Sequence, residues 1–205
     1  MFETLQLHDT ISSKLLNELI FYYDSLGQYD TLTMNKAPTG PVSGKVLEIL
    51  EEKLNRKLEL VYGNFYKHTL PYLPHTDYKT HNPSSINIVI PLRYTDRSPY
   101  LVIFDQRWKQ DSITWCMHHP VKYFEINIGV RGSPFEYPVE NLTDRSVDNE
   151  LYETYLSHYP KETLFGLTGK AYEFRPGSVI LFDNQKIHCT SSFTGEKLGL
   201  TLRVR

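Results

Sequence analysis

Two histidines and one aspartate have the residue types and spacing that metal chemistry needs: His75 and Asp77 in a His-Thr-Asp motif, and His188 far along the chain. Two imidazole nitrogens and one carboxylate oxygen can hold a divalent iron ion on one face and leave three coordination positions open. Because alternate side chains of an extended segment point to the same side, His75 and Asp77 can face one ion together. The pattern predicts an iron site if the fold brings His188 to the other two residues.

The neighbouring sequence favours this metal interpretation over a chance triplet on a surface loop. With eight histidines and 24 acidic residues, roughly one His-x-Asp triplet is expected by chance. This triplet comes shortly before the apolar run SINIVIPL, residues 85–92, which is typical of a buried strand. His188 follows the strand-like run SVILF, residues 178–182, after a turn. An adjacent antiparallel strand can therefore return it to the first two ligands.

Cationic residues near the end of the sequence predict a binding site for an anion. In the last strand-like run, KLGLTLRV, Lys197 and Arg203 share one face and three leucines share the other. If the leucines pack against helices, the cations face the interior, where a buried cation is costly unless an anion pairs with it. A dicarboxylate such as 2-oxoglutarate supplies that anion. The alternative is a strand whose polar face lies in solvent.

The elements that must position these residues change in character along the chain. Two amphipathic helices are predicted in the first third, one capped by Asp9 or Thr10 and ended by Gly27, the other started by Pro41. Helices first and short strands afterwards predict an α+β fold, a double-stranded β-helix (a jelly-roll, cupin-like core) with N-terminal supporting helices. The predicted strands cover residues 58–66, 85–92, 100–104, 124–130, 178–182 and 197–204.

A single domain is predicted for residues 1–205, with helical support over about 1–56 and the barrel over about 57–205. Within the barrel, residues 105–170 form an insertion with one predicted helix, whose apolar positions run from Val147 to Tyr159. Insertions of this length usually form lids or binding walls. The sequence does not determine the role of this insertion.

Charge and composition argue against several classes of protein. The formal net charge of -2 gives no global electrostatic case for nucleic acid, although a local basic groove is compatible with it. No apolar run approaches membrane-spanning length, and the first residues do not resemble a signal peptide. Two cysteines, Cys116 and Cys189, do not make a disulfide framework, so free thiols in a reducing cytosol are expected. These features predict a cytoplasmic protein with no membrane partner.

Two segments carry a resemblance to a known family. Asn64-Phe65-Tyr66, followed after eight residues by His75-Thr76-Asp77, is similar to the N-x-Y…H-x-D stretch of AlkB-like demethylases. The segment PGSVILFDNQKIHCTSSFTGEKLGLTLRV, residues 176–204, is similar to the distal-histidine region of prolyl-hydroxylase-like and AlkB-like proteins. From Asn64 to Val204, the chain resembles the Fe(II)/2-oxoglutarate-dependent dioxygenase superfamily.

The resemblance implies a role for each matching residue. His75, Asp77 and His188 would bind Fe(II) and form the catalytic centre. Tyr66 would hydrogen-bond 2-oxoglutarate, and Asn64 would assist it. The implied cofactors are Fe(II), 2-oxoglutarate as cosubstrate and O2, with ascorbate as a candidate reductant.

Two basic residues match the family positions that bind the far carboxylate of 2-oxoglutarate. Lys197 stands at the first of these positions, where arginine is commoner, and Arg203 matches a second one found in the demethylase branch. The sequence leaves open which of the two anchors the cosubstrate.

The implied activity is hydroxylation of an unidentified substrate, a peptide side chain or a small molecule, with release of succinate and CO2. The match at Asn64 and Tyr66 favours a variant, an AlkB-like demethylase of alkylated nucleobases, whereas the acidic balance counts against it. A non-catalytic jelly-roll binding module is the alternative from a different class, and it would need no triad. Neither the substrate nor the oligomeric state follows from the sequence.

Overall fold

The computed structural model describes residues 2–27, 34–77, 85–108, 139–141 and 143–205. Within these ranges the chain forms three α-helices and ten strands. The helices are α1 (Ser13–Ser25), α2 (Val42–Leu54) and α3 (Asn149–Leu151). The strands are β1 (Leu5–Leu7), β2 (Met34–Pro38), β3 (Leu60–His68), β4 (Ile86–Tyr94), β5 (Tyr100–Trp108), β6 (Val139–Glu140), β7 (Gly169–Glu173), β8 (Val179–Asp183), β9 (Lys186–Thr190) and β10 (Lys197–Val204).

The strands form two antiparallel sheets. The larger sheet has six strands in the order β1-β8-β4-β10-β3-β2. In the smaller sheet, β5 pairs with β6, β7 and β9. Mostly antiparallel sheets with few helices agree with the α+β class predicted from the sequence.

Three apolar clusters define the layers of the molecule. The first packs α1 and α2 against one face of the larger sheet. The second lies between the sheets and joins side chains of β3, β4 and β8 to side chains of β5. The third covers the outer face of the smaller sheet with residues 147–167. The two sheets therefore face one another, and any site between them has apolar walls on both sides.

Strand β10 has the two-faced pattern that its sequence predicts. Leu198, Leu200 and Leu202 are fully buried in the helix-side cluster. Since side chains alternate across a strand, Lys197 and Arg203 point to the opposite face, between the sheets. The predicted inward orientation of the two cations is confirmed.

The helix boundaries agree with the sequence except at one cap. The N-cap of α1 is Ser12, whose hydroxyl accepts from Leu15 N, and not Asp9 or Thr10. The reason is that the backbone N–H of Thr10 donates to Gly177 O, which holds this stretch outside the helix. Gly27 follows α1 at φ +79°, and Pro41 precedes α2, both as predicted. In the described parts of the chain, no helix is both long and apolar enough to cross a membrane.

Several elements differ from the sequence prediction. The first third is not only helical, because β1 and β2 add strands to opposite edges of the larger sheet. Strand β5 continues to Trp108, beyond the predicted strand at 100–104. The predicted helix of the insertion is the short α3, which continues as a π-helical turn, Tyr152–Leu156. The predicted strand at 124–130 and Cys116 lie outside the described residues, and Cys189 is a buried cysteine.

Candidate metal centre and anion pocket

Every residue that the sequence predicts for the site lines one cavity between the two sheets. The members of the predicted triad line it together with inward-facing side chains of β3 and β10. The seven nominated residues in its wall are Asn64, Tyr66, His75, Asp77, His188, Lys197 and Arg203.

Backbone pairing brings His188 to the His-Thr-Asp motif. His75 N donates to His188 O over 2.9 Å, and His188 N donates to His75 O over 2.8 Å. Asp77 N also donates to Asn184 O, so the chain around the motif runs antiparallel beside β9. Directly opposed residues of such a pair place their side chains close together. The two imidazole centroids are accordingly 4.2 Å apart.

The metal-binding atoms of the triad converge. One nitrogen of each histidine and one oxygen of Asp77 lie within 4.8 Å of one another. The Nδ1 atom of His75 is 2.7 Å from Leu73 O, and that of His188 is 3.1 Å from Lys186 O. A carbonyl oxygen can only accept, so each Nδ1 carries the proton and each Nε2 can offer its lone pair to a metal.

Charge states at the triad also suit a divalent cation. Burial, together with the nearby His188, lowers the pKa of His75 to about 3, so its ring is neutral at pH 7. Burial raises the pKa of the Asp77 carboxyl, but the favourable interactions of the carboxylate with His188, His75 and Arg203 outweigh it. The net effect holds the pKa of Asp77 well below its usual value. Neutral imidazole and ionised carboxylate are the metal-binding forms, and this donor set fits Fe(II).

Two side chains donate hydrogen bonds to the Asp77 carboxylate. Arg203 Nη2 donates to Oδ1 over 2.6 Å, and Asn87 Nδ2 donates to Oδ2 over 2.9 Å. Arg203 was predicted from the sequence as a residue that binds the cosubstrate, and Asn87 was not predicted to belong to the site. A signal existed, because Asn87 is the one polar residue within the apolar stretch 86–92.

Lys197 lies in a different environment, near the start of β10. Its side chain is buried, and Nζ donates to Thr190 Oγ1 over 2.8 Å. The rings of Tyr66, Phe174 and Phe193 surround it at 5.3 to 5.8 Å. Among the described residues, no carboxylate oxygen lies within 4.0 Å of Nζ. Burial lowers the pKa of Lys197 to about 7.

Comparisons with known proteins agree with this geometry at the level of the fold. No family model matches the sequence, and no curated protein matches it. Among solved structures, the non-heme alpha ketoglutarate dependent epimerase SnoN from nogalamycin biosynthesis has a TM-score of 0.57 at 8% identity, covering 98% of this chain and 77% of its own. HygX from Streptomyces hygroscopicus, solved with nickel, 2-oxoglutarate and hygromycin B, has a TM-score of 0.54 at 14% identity, with coverages of 98% and 82%.

A third structural neighbour is the viral collagen prolyl hydroxylase vCPH from Paramecium Bursaria Chlorella virus-1, solved with 2OG. Its TM-score is 0.52 at 8% identity, and the match covers 98% of this chain and 94% of that one. This chain has the fold of the 2-oxoglutarate-dependent oxygenases. Its two antiparallel sheets are consistent with the jelly-roll of that fold.

Within this oxygenase fold, Tyr66 lies across from a glycine on the neighbouring strand. Tyr66 of β3 is the register partner of Gly199 of β10. A Cβ atom at Gly199 would lie 2.4 Å from Tyr66 Oη, so the absence of a side chain there makes room for the phenol. Burial raises the pKa of Tyr66, and the negative charge of Asp77 raises it further. The phenol therefore keeps its proton and can donate a hydrogen bond into the cavity.

Two polar residues in the cavity wall, Thr190 and His68, were not predicted from the sequence. Thr190 is two residues beyond His188 on the same face of β9, and its hydroxyl accepts from Lys197. His68 is two residues beyond Tyr66 on β3, and its ring centroid lies 5.0 Å from that of Tyr66. Both extend a period-two pattern that starts at a nominated residue, and that periodicity is the signal that identifies them.

Proposed function

We propose that this protein is an Fe(II)- and 2-oxoglutarate-dependent dioxygenase that hydroxylates a small molecule or a peptide side chain and releases succinate and CO2. The convergence of His75, Asp77 and His188 in one cavity carries the proposal. These three residues would hold the iron, and the two facing sheets would form a double-stranded β-helix around it. Iron, with 2-oxoglutarate and O2 bound, supplies the oxidising power that protein side chains lack.

Lys197 is the residue that we assign to the far carboxylate of 2-oxoglutarate. Its ammonium group is buried beside one hydroxyl and three aromatic rings, so an incoming carboxylate would pair with a cation already stripped of water. Arg203 is already engaged with Asp77 and would serve the metal ligand. Tyr66 and Thr190 would add hydrogen bonds, and Asn64, whose amide donates to Phe65 O, would shape the wall of the cavity.

A small molecule or a peptide side chain is the substrate class that we propose. The structural neighbours include an epimerase of nogalamycin biosynthesis, a protein solved with hygromycin B and a collagen prolyl hydroxylase. This fold therefore serves both substrate classes. Screening small molecules and peptides for substrate-stimulated release of succinate, with ascorbate present as reductant, would identify the substrate.

Demethylation of alkylated nucleobases is the second candidate. It is favoured by the presence of Asn64 and Tyr66 together in the cavity wall, as the AlkB-like motif implies. Against it stands the net charge of -2, since nucleic-acid binding needs phosphate neutralisation. We expect no binding to methylated single-stranded oligonucleotides. Salt-sensitive binding together with removal of the methyl group would establish the demethylase instead.

A spectroscopic experiment tests the enzymatic proposal directly. Adding Fe(II) and 2-oxoglutarate to the protein without oxygen should produce a visible charge-transfer band, because the chelate needs the open positions of a three-ligand site. Asp77→Ala should abolish the band. Asp144→Ala, at a fully exposed carboxylate, should leave it unchanged. A flat spectrum for the unmodified protein would favour a non-catalytic jelly-roll binding module.

A further inference from the structure

We propose that Asn87 is a positioning residue of the metal site, which keeps one oxygen of Asp77 available for the metal. The inference rests on the proposed function and assigns to β4 a part in the site that the His-Thr-Asp motif does not indicate. Asn87 is fully buried and lies in register between Phe182 of β8 and Arg203 of β10. Its side chain therefore enters the site from the middle of the larger sheet.

The hydrogen bonding of Asn87 does not suit a residue that serves stability alone. The Nδ2 atom donates to Asp77 Oδ2 over 2.9 Å. The Oδ1 atom of the same amide is buried and has no hydrogen-bond partner in the structure. A buried acceptor without a partner lowers stability. The neighbouring residues of the strand, Ile86 and Ile88, are apolar, so an amide at this position lowers stability. Its hydrogen bond to Asp77 explains why it is there.

The two oxygens of Asp77 are not equivalent, and Asn87 maintains the difference. Oδ1 accepts a short, charge-assisted hydrogen bond from Arg203, while Oδ2 accepts a weaker, neutral one from Asn87. Oδ2 also lies 3.4 Å from Nε2 of His188. Oδ1 lies 3.9 Å from Nε2 of His75, so each oxygen faces one histidine, but Oδ2 has the weaker donor and therefore keeps more of its basicity. Rotation of the carboxylate would exchange the two oxygens, and the amide of Asn87 opposes that rotation.

The test separates positioning from stability with a matched control. Asn87→Leu removes the donor at similar volume, and Asn87→Ala removes it in case leucine does not fit. Gln106→Leu is the control, because Gln106 is an equally buried amide whose partners are Asn141 O and Thr168, away from the metal site. Mn(II), bound to the full-length protein without cosubstrate, is the probe. Its Kd and the Tm of the metal-free protein are measured for each variant.

We expect both Asn87 variants to bind Mn(II) about 10- to 100-fold more weakly, the usual effect of losing an outer-shell partner of a metal ligand. The Tm of the leucine variant should stay about level, because removal of the unpaired Oδ1 acceptor offsets the lost hydrogen bond to Asp77. Gln106→Leu should lower the Tm and leave the Kd unchanged. Unchanged Mn(II) affinity in both Asn87 variants would overturn the positioning role, as would a loss of affinity matched by Gln106→Leu.

Failure of this inference can be distinguished from failure of the proposed function. If the unmodified protein binds Mn(II) no better than Asp77→Ala does, there is no metal site at the triad, and both proposals fall. If Asp77→Ala abolishes binding while the Asn87 variants bind normally, only the role of Asn87 falls. The visible band of the anaerobic Fe(II) and 2-oxoglutarate complex gives a second readout. Its position should shift in Asn87→Leu, since it reports the ligand field at the metal.

Discussion

Lys197 and Arg203 lie on the same face of the same strand, six residues apart, and yet their surroundings are opposite. Arg203 is paired with a carboxylate that also has a second donor, Asn87. Lys197 has a neutral hydroxyl and three aromatic rings, and none of the described carboxylates is within ion-pair distance. The charge of Arg203 is therefore neutralised within the protein, whereas the charge of Lys197 has no carboxylate partner among the described residues.

The contrast separates two tasks that the sequence could not tell apart. Arg203 compensates the charge of Asp77 and keeps that carboxylate ionised for a metal. Under the proposed function, Lys197 would keep a desolvated positive charge for the cosubstrate. The cost of burying this charge lowers the stability of the free protein and is offset on binding. Removing Lys197 should therefore affect cosubstrate affinity, and removing Arg203 should affect metal affinity and stability.

The largest expected effect follows from Lys197→Met. Removing the buried ammonium should weaken 2-oxoglutarate binding about 30-fold or more, since losing one partner of a buried charge pair costs about 2 kcal/mol at least. Mn(II) affinity should stay level, and the Tm of the free protein should rise, because methionine fills the apolar surroundings without a buried charge. Calorimetric titration of the Mn(II)-loaded protein measures the affinity. Lys67→Met on β3, at a half-exposed lysine paired with Glu196, is the control. Normal cosubstrate affinity in Lys197→Met would move the anchor to another residue.

Arg203→Met should affect the metal end and the fold. Removing the guanidinium leaves a buried carboxylate with one neutral donor, so the free energy of unfolding should fall by about 3 kcal/mol. Mn(II) affinity should fall about 10- to 100-fold. Urea denaturation and metal titration measure the two effects. Arg205→Met, at an exposed arginine paired with Glu59, should change neither. A variant as stable as the unmodified protein would show that Asp77 does not need this charge.

The pH dependence of cosubstrate binding should report the state of Lys197. Burial lowers the pKa of Lys197 to about 7, so below that pH the amine is already charged and affinity should be flat. Above it, binding must first take up a proton, and the Kd should rise about tenfold per pH unit. Calorimetric titrations from about pH 6 to about pH 9 test this trend. Lys197→Arg keeps its charge and should remove the dependence; an equal slope in that variant would assign the proton to another group.

The same pKa shift makes a prediction about stability, with a definite sign. The pKa of Lys197 in the folded protein lies below its value of 10.5 in the unfolded chain. The burial cost is therefore fully present below about pH 7 and is relieved as the pH rises towards the unfolded value. The contribution of this group makes the free protein more stable with rising pH. Lys197→Met should lack this contribution, which pH-dependent urea denaturation can measure.

The smallest expected effect concerns Gly199, which lies between the two cations on β10. Gly199→Ala would place a Cβ atom 2.4 Å from Tyr66 Oη, and such overpacking costs about 1–3 kcal/mol. Displacing the phenol should also weaken 2-oxoglutarate about fivefold, the value of one hydrogen bond. In contrast, Gly44→Ala in α2 meets no neighbour within 4 Å and should stabilise the protein by about 1 kcal/mol. Equal effects of the two changes would contradict the close approach of Tyr66.

Much of the site was readable from local patterns. The spacing of His75 and Asp77, the alternation of leucines and cations in KLGLTLRV, and the position of Gly27 follow from rules that act over a few residues. The bounds of β10 match the predicted strand without change. Other strands were not predicted: β1 has three residues, and β9 is the run KIHCT, which lacks the continuous apolar pattern of β8. Only their partners, β8 and β5, define them as strands.

The sequence by itself determined which chemical groups are present and which face of each strand carries them, because the pleat of a strand fixes that alternation locally. Only the tertiary structure decided which groups meet. His188 pairs with His75 through backbone hydrogen bonds. Arg203 and Asn87, on two other strands, both donate to the Asp77 carboxylate. These contacts depend on the register between strands far apart in the chain. That register is set by the packing of whole sheets against helices, which no short motif encodes.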